Sequence, residues 1–202
     1  MNLRKRLQEE TKSLHDKIEQ TFLLKKILLQ EITLSNYQLL IQKFYGFITP
    51  CEALIDSLPC NLVIQNRKKN PWLEQDLHAL QIPNNNETKV PICRDLPELS
   101  DDEQVLGYLY VMEGATLGGQ VIAKILQTQL QITAENGGRF FHAYGEKTKI
   151  MWNDFCLDLG TVDCIEQQNK IIYSAIDTFK RFHEWMEAGH YNGVSIRPRE
   201  FI

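Results

Sequence analysis

Hydrophobic residues along this chain recur mainly at intervals of three and four, the spacing of one face of an α-helix. Over residues 2–20 this pattern predicts an amphipathic helix with charged residues on its outer surface. The apolar positions of this helix are Leu3, Leu7, Leu14 and Ile18. A short apolar segment follows at residues 21–30. A second long helix is predicted from about Ser35, and Pro50 is expected to kink or break it.

In the middle of the chain, polar connecting segments lie on either side of a sequence pattern that predicts the start of a helix. Residues 61–70 are polar and basic, and we interpret them as a solvated connection. Asn70 and Pro71 then form a helix start, with asparagine as the cap and proline in the first position, and the helix is predicted to run through Leu80. Residues 82–99 contain prolines and the run NNN, which predicts a loop.

The second half of the chain begins with a capping box at Ser100 and Glu103, which predicts the start of a long helix that ends by Gly137. A short helix from about Glu146 and a last long helix over residues 163–188 are predicted next. Residues from about 190 to 202 are predicted to form an irregular tail. No segment shows the alternation of period two that is typical of strands, so we predict an all-α single domain over residues 1–202.

One helical stretch, YLYVMEGATLGGQVIAKIL from Tyr108, carries an unusual number of glycines. Each glycine inside a helix costs about 0.8–1 kcal/mol relative to alanine. Gly114 and Gly118 are four residues apart and share a face, and Gly119 follows directly. Two interpretations fit this strip: close packing against another helix, or a helix whose bare backbone lies over a planar ligand.

Charge and cysteine content narrow the class of protein. The net charge is −4, with 22 basic and 26 acidic residues mixed along the chain, and this does not favour nucleic-acid binding. Five cysteines without C-x-x-C spacing predict free thiols in a reducing compartment. The N-terminus turns polar at once, and no run of about 18 apolar residues is present. We therefore expect a cytoplasmic protein that does not bind membranes.

A candidate metal ligand lies in the first helix. His15 is adjacent to the apolar stripe, and Glu19 follows one turn later on the same side. A carboxylate at that position can accept a hydrogen bond, directly or through water, from imidazole Nδ1. This leaves Nε2 free, as in most metal-bound histidines. His78, His142, His183 and His190 show no comparable spacing, and we interpret them as structural or surface residues.

Three segments together resemble the heme oxygenases, and in particular their bacterial branch. LRKRLQEETKSLHDKIE is similar to the first helix of that family, with its proximal histidine, and NYQLLIQKFYGFITPCEAL is similar to its second. YVMEGATLGGQVIAKIL, followed by FFHAYGEKTKIMWNDF, is the most specific match. The resemblance extends from residue 3 to about residue 186.

The resemblance implies a helical bundle that holds heme b between the N-terminal helix and a kinked, glycine-rich distal helix. It implies that His15 is the axial ligand of the heme iron and that Glu19 supports it. The distal turn with its catalytic positions, and the further heme contacts, would be formed by Gly114, Ala115, Thr116, Gly118, Gly119, Tyr144 and Phe182. Heme in such enzymes is cofactor and substrate, and dioxygen and reducing equivalents convert it to biliverdin, carbon monoxide and ferrous iron.

Some positions depart from the family pattern. Ala115 stands where eukaryotic members have an aspartate and bacterial relatives often a serine, so Thr116 or a backbone carbonyl is the candidate to organise distal water. The basic residues that many members direct at the heme propionates are replaced. Gln8, Asn153 and Leu157 occupy those positions, and the remaining candidates are Arg4, Lys12, Tyr144 and Lys149.

Two classes of function follow from these residues. The first is a biliverdin-forming heme oxygenase, a monomer that receives electrons from a ferredoxin-type or flavodoxin-type donor. The second is a heme carrier or sensor on the same scaffold without turnover, which the departures favour. A di-iron enzyme of related fold needs paired E-x-x-H motifs, and only residues 187–190 have that spacing.

Overall fold

The computed structural model describes residues 2–59, 62, 64–85 and 89–189. Within these residues all regular structure is helical, which confirms the predicted all-α class. The predicted irregular tail lies outside the described residues. The described part of the chain contains eight α-helices in the order α1 Leu3–Glu19, α2 Phe22–Leu28, α3 Leu34–Ser57, α4 Asn70–Ala79, α5 Asp102–Leu130, α6 Arg139–His142, α7 Thr148–Leu159 and α8 Ile165–Glu187.

Helix α8 packs against both α5 and α1 and so joins the glycine-rich helix to the N-terminal one. Gly107 makes the approach of α5 to α8 possible, because a Cβ atom there would lie 2.4 Å from the Ile171 carbonyl oxygen. Gly119, on the other side of α5, would place a Cβ atom 3.0 Å from the Phe141 carbonyl oxygen. These two glycines therefore serve helix packing, the first of the two interpretations given above.

Of the two predicted effects of Pro50, a kink or a break, the break does not occur, because α3 continues through Pro50 to Ser57. Proline cannot donate the usual hydrogen bond to the carbonyl four residues earlier, which belongs to Gly46. The backbone N–H of Cys93 donates to that oxygen instead, at 2.8 Å. The loop between α4 and α5 thus satisfies the carbonyl group that proline leaves free.

Two predicted helix caps are displaced. Asn70 does not cap α4: the backbone N–H groups of Lys69 and Asn70 donate to the buried carboxylate of Glu52 at 2.6 and 3.2 Å. At α5 the cap is Asp101, which accepts from the Gln104 N–H at 3.0 Å, one residue later than the predicted box. In both cases a carboxylate other than the predicted cap accepts hydrogen bonds from N–H groups at the start of the helix: Glu52 of α3 at α4, and Asp101 at α5.

Helix α5 is uninterrupted in its backbone hydrogen bonding from Asp102 to Leu130, and the expected kink does not divide it. It ends at Gln131, which adopts a left-handed conformation with φ of 56°. Cys51, Cys93, Cys156 and Cys164 are free thiols. Within the described residues, none of the helices has the length and apolar character needed to cross a lipid bilayer.

Candidate functional site

The strip of α5 between Gly114 and Val121 presents bare backbone and apolar side chains to the surface. A Cβ atom on Gly118 would meet nothing within 4 Å, and Gly114 has only the Trp152 ring nearby, at 3.7 Å from the same position. Ala115 is exposed, and Leu117 and Val121 are 38% and 57% exposed. Large apolar side chains left open beside side-chain-free backbone mark a surface that a flat apolar ligand can cover.

His15 projects from α1 with 58% of its side chain exposed. Its ring meets the edge of the Phe179 ring on α8, with 6.2 Å between centroids. Nδ1 lies 3.9 Å from a carboxylate oxygen of Glu19 and 3.9 Å from one of Asp16. The ligand atoms of these three residues lie within 4.8 Å of one another, but all three side chains are exposed, and such groups are common without a metal ion.

The side chains of Thr11 on α1 and Tyr110 on α5 lie close together near these residues. Burial raises the pKa of Tyr110, and its hydrogen bond with the Thr11 side chain opposes that shift. Thr11 lies one turn before His15, and Tyr110 one turn before Gly114. The predicted iron ligand and the first distal glycine are therefore each one helical turn from this pair of side chains.

The side of this region is formed by Trp152 on α7. Its ring lies 5.8 Å from the Tyr110 ring, and the guanidinium carbon of Arg4 lies 5.9 Å from its centroid. Arg4, Asn153 and Leu157 line a cavity of about 580 Å³ at the N-terminal end of α1. Of the candidates for propionate binding, Arg4 is thus adjacent to Trp152 and, through it, to Gly114.

Other predicted site residues are placed in the interior. The Thr116 hydroxyl is buried and donates to the Glu113 carbonyl oxygen at 2.6 Å. The Tyr144 hydroxyl donates to the Glu113 carboxylate at 2.8 Å. Phe182 is 4% exposed and packs against Phe44 and Phe47 in the core. The structure therefore engages the side chains of Thr116, Tyr144 and Phe182 in internal contacts. His15, Glu19 and Gly118 remain exposed.

Sequence reasoning missed a buried ionic cluster beneath α5. Glu113, whose side chain is 0% exposed, accepts hydrogen bonds from Lys69 Nζ at 2.5 Å and from Arg67 Nη1 at 3.1 Å. The interpretation of residues 61–70 as wholly solvated is wrong, because the Lys69 side chain is 2% exposed. The signal in the sequence was Glu113 itself, an acidic residue within an otherwise apolar helical stretch.

Burial governs the titration of this cluster. It lowers the pKa of Lys69, although the negative charges of Glu113 and Glu52 oppose the shift. Burial also raises the pKa of Tyr144, and the adjacent Glu113 carboxylate raises it further. Tyr144 therefore stays protonated as a hydrogen-bond donor to Glu113 at physiological pH.

A cavity of about 950 Å³ lies away from the His15 region, between α4 and residues 134–145. Its lining includes Glu74, His78 and His142 but neither His15 nor a residue of the glycine strip. We assign the candidate site to the surface between α1 and α5, where His15 on α1 is exposed and the backbone of α5 at Gly118 is open.

Comparisons with known proteins identify the family and the fold of this chain. The family model described as heme oxygenase matches residues 1–188. Three solved structures share the fold. A heme oxygenase from Leptospira interrogans has a TM-score of 0.74 and 16% identity, and the match covers 93% of this chain and 99% of that one. The NO-bound and CO-bound heme oxygenase from Neisseria meningitidis has a TM-score of 0.71 and 19% identity, with 92% of this chain and 90% of that one covered. A Synechocystis heme oxygenase in complex with heme has a TM-score of 0.73 and 20% identity, with 92% of this chain and 91% of that one covered. No curated protein gives a significant sequence match.

Proposed function

The chain belongs to the heme oxygenase family, and we propose that it cleaves heme to biliverdin, carbon monoxide and ferrous iron with dioxygen and an external reductant. The observation that carries the proposal is the pairing of an accessible imidazole on α1 with an open glycine strip on α5. A low-potential donor of the ferredoxin or flavodoxin class would supply the electrons.

The residues of the site fit heme. His15 can ligate through Nε2, since the carboxylates of Asp16 and Glu19 both lie near its other nitrogen, Nδ1. Leu117, Val121 and the backbone at Gly118 supply an apolar surface with no side chain blocking it. A planar macrocycle placed there would bury apolar area that the ligand-free protein leaves in water.

The chain's own groups would then hold and orient the substrate. Neutral His15 would bind the iron through Nε2, with the Nδ1 proton directed towards Glu19. The backbone of α5 at Gly114 and Gly118 would crowd the opposite face and exclude bulk water from it. Heme supplies the iron that activates dioxygen and the porphyrin carbon that is oxidised.

Proton delivery on the distal side would depend on water. Between Gly114 and Val121 the exposed side chains belong to Ala115, Leu117 and Val121, and these carry no proton donor. The Thr116 hydroxyl is engaged with the Glu113 carbonyl oxygen. Ordered water hydrogen-bonded to α5 carbonyl groups is therefore the proton source that the geometry leaves.

This apolar distal surface also favours a second candidate function, a heme carrier or sensor without turnover. Such a protein needs His15 and the glycine strip but no proton supply. The two functions differ in whether the bound heme is consumed in air when electrons are supplied.

The test is a heme titration followed by absorption, on the wild type, on His15→Ala and on the matched control His78→Ala. His78 is exposed on α4, away from the site. We expect a Soret band that saturates at one heme per chain and is lost or strongly shifted only in His15→Ala. Ascorbate or a ferredoxin reductase system in air should then replace it with the broad red band of biliverdin.

The outcomes separate the alternatives. A stable, His15-dependent complex that no competent donor degrades would refute the enzyme and support the carrier or sensor. Absence of saturable binding, or a Soret band of the same position and intensity in His15→Ala and wild type, would refute both.

A further inference from the structure

Glu113 and Gln120 lie two turns apart on α5 and so share one face of the helix. They bracket the turns that contain Gly114, Gly118 and Gly119. Both side chains make hydrogen bonds with residues 142–148, the segment that leads from the end of α6 into α7. Gln120 Nε2 donates to the His142 carbonyl oxygen at 2.9 Å and to Thr148 Oγ1 at 3.3 Å, and Glu113 accepts from the Tyr144 hydroxyl at 2.8 Å.

The exposed side of the glycine turns has little other anchorage, although Gly119 packs against the Phe141 backbone. Gly118 meets open space, and Gly114 contacts a single indole ring. Glycine also leaves the helix backbone more freedom than any other residue. The position of these turns must therefore be fixed by the neighbouring side chains that do make contacts, of which Glu113 and Gln120 are polar and directional.

The Glu113 contact is firm because its partners are themselves fixed. Lys69 Nζ donates to Glu113 at 2.5 Å, to the Arg67 carbonyl oxygen at 2.6 Å and to the Tyr144 hydroxyl at 2.8 Å. Arg67 adds a bond to the second Glu113 oxygen. Buried ion pairs stabilise a fold little compared with apolar packing, but they select one geometry strongly, because any displacement leaves a buried charge unpaired.

The segment on the other side is equally anchored. The Asp76 carboxylate on α4 accepts the backbone N–H groups of Arg139 and Phe140 at 2.7 and 2.8 Å. Phe140 and Phe141 pack on Phe44 of α3, with ring centroids 4.7 and 5.5 Å away. Residues 139–148 are thus joined to α3 and α4, and α5 is joined to them at Glu113 and Gln120.

We propose that Glu113 and Gln120 are positioning residues that hold the glycine turns of α5 against residues 142–148 and so set the distance between the α5 backbone and the substrate. The second part of this proposal, the distance between the α5 backbone and the substrate, rests on the proposed heme cleavage. The holding of α5 is a property of the ligand-free protein and can be measured without heme.

The first measurement is amide hydrogen exchange on the ligand-free protein. Tyr144→Phe removes the hydrogen bond to Glu113, together with the one that Tyr144 accepts from Lys69, and keeps the ring. Gln120→Glu keeps the shape but removes the donor. Matched controls are Tyr37→Phe, which loses a bond to the Gly137 carbonyl oxygen, and Gln38→Glu, which loses one to the Leu80 carbonyl oxygen. We expect exchange in residues 114–121 to quicken about fivefold in the first pair only, as loss of a hydrogen bond predicts.

The second measurement uses the carbon monoxide complex of the heme-loaded protein. We expect a shift of the C–O stretching band in Tyr144→Phe and Gln120→Glu and none in the controls, because the α5 backbone moves relative to the bound gas. Unchanged exchange in residues 114–121, or equal change in the controls, would overturn the proposal. Faster exchange with an unchanged C–O band would overturn its link to the substrate.

The two proposals fail in different ways. Wild-type protein that binds no heme would refute the proposed function and with it the link to the substrate, while exchange in the ligand-free protein would still decide whether Glu113 and Gln120 hold α5. Normal cleavage of heme with unaltered exchange in Tyr144→Phe and Gln120→Glu would leave the function standing and remove the positioning role.

Discussion

Nδ1 of His15 lies 3.9 Å from Oε1 of Glu19, one turn further along α1. This is longer than a direct hydrogen bond, so a hydrogen bond from the imidazole N–H to the carboxylate would need one bridging water molecule or a small side-chain rotation. Asp16 Oδ1 lies at the same distance from Nδ1. Glu19 and Asp16 can therefore be compared as two carboxylates at equal distances from the same imidazole nitrogen.

Replacing Glu19 should weaken heme binding without abolishing it. Partners of a metal-bound histidine orient the ring and raise its basicity, and their loss typically reduces metal affinity 10–100-fold. We expect an effect of that size, about tenfold or more, for Glu19→Gln in a heme titration. Asp16→Asn is the control, because Asp16 also pairs with Lys12 at 2.9 Å. Equal loss in both variants would contradict a specific role for Glu19.

Gly118→Ala should change the stability and the function of the protein in opposite directions. A methyl group at this position meets nothing within 4 Å, and alanine favours a helix by about 1 kcal/mol over glycine. We expect the free energy of unfolding of the ligand-free protein, measured by urea denaturation, to rise by about that amount. Heme affinity and the rate of biliverdin formation should fall, because the methyl group would occupy the surface proposed to meet the substrate.

Gly107→Ala is the matched substitution on the same helix. Its methyl group would lie 2.4 Å from the Ile171 carbonyl oxygen, a backbone atom that cannot move alone. We expect a loss of about 2–3 kcal/mol in the free energy of unfolding. Stabilisation by alanine at Gly107, or destabilisation at Gly118, would show that the two glycines have been assigned the wrong environments.

Arg4 should contribute to heme affinity through one propionate. Lys12 is paired with Asp16, and the Tyr144 hydroxyl is bound to Glu113 and Lys69. No carboxylate of the described residues pairs with Arg4, whose guanidinium lies beside Trp152. We expect Arg4→Ala to weaken heme binding by about 1 kcal/mol or less, up to about fivefold, as for an exposed ion pair. The proportions of biliverdin isomers should also change.

Lys149→Ala provides the comparison for Arg4, since Lys149 is an exposed residue of α7. A heme titration and chromatography of the pigments should show little change in this variant. If Lys149→Ala has the larger effect, the propionates lie on another side of the site.

Asp76 should make stability depend on pH in an unusual direction. Burial raises the pKa of Asp76 to about 6, although the N–H groups of Phe140 and Arg139 oppose this. The folded state therefore holds the proton more tightly than the unfolded state, whose pKa is about 3.9. The contribution of Asp76 is complete below about pH 4 and is lost as the pH rises through about 6.

Asp76→Asn removes this titration, so the two proteins should be compared by urea denaturation between pH 4 and 7. The difference in unfolding free energy, wild type minus variant, should fall with rising pH by up to about 3 kcal/mol. A constant difference over this range would show that Asp76 has an ordinary pKa in the folded protein.

The periodicity of apolar residues was sufficient to predict most of the helices, because amphipathic burial and the caps are local properties of a sequence. Its errors came from distant partners. Pro50 stays inside α3 because Cys93, on another segment, donates to the Gly46 carbonyl oxygen. Asn70 is not a cap because Glu52 of α3 accepts the N–H groups there.

The candidate site likewise has some features that the sequence predicts and others that depend on distant partners. The sequence by itself determined the helical class, the motif with His15 and Glu19, and the glycines of α5, since these depend on residue types at fixed spacing. Only the tertiary structure decided that Gly107 and Gly119 pack against neighbours while Gly118 is open. It likewise decided that Lys69, in a basic stretch, is buried against Glu113. Burial and pairing depend on which segments meet in space, and the spacing of residues along one helix does not contain that information.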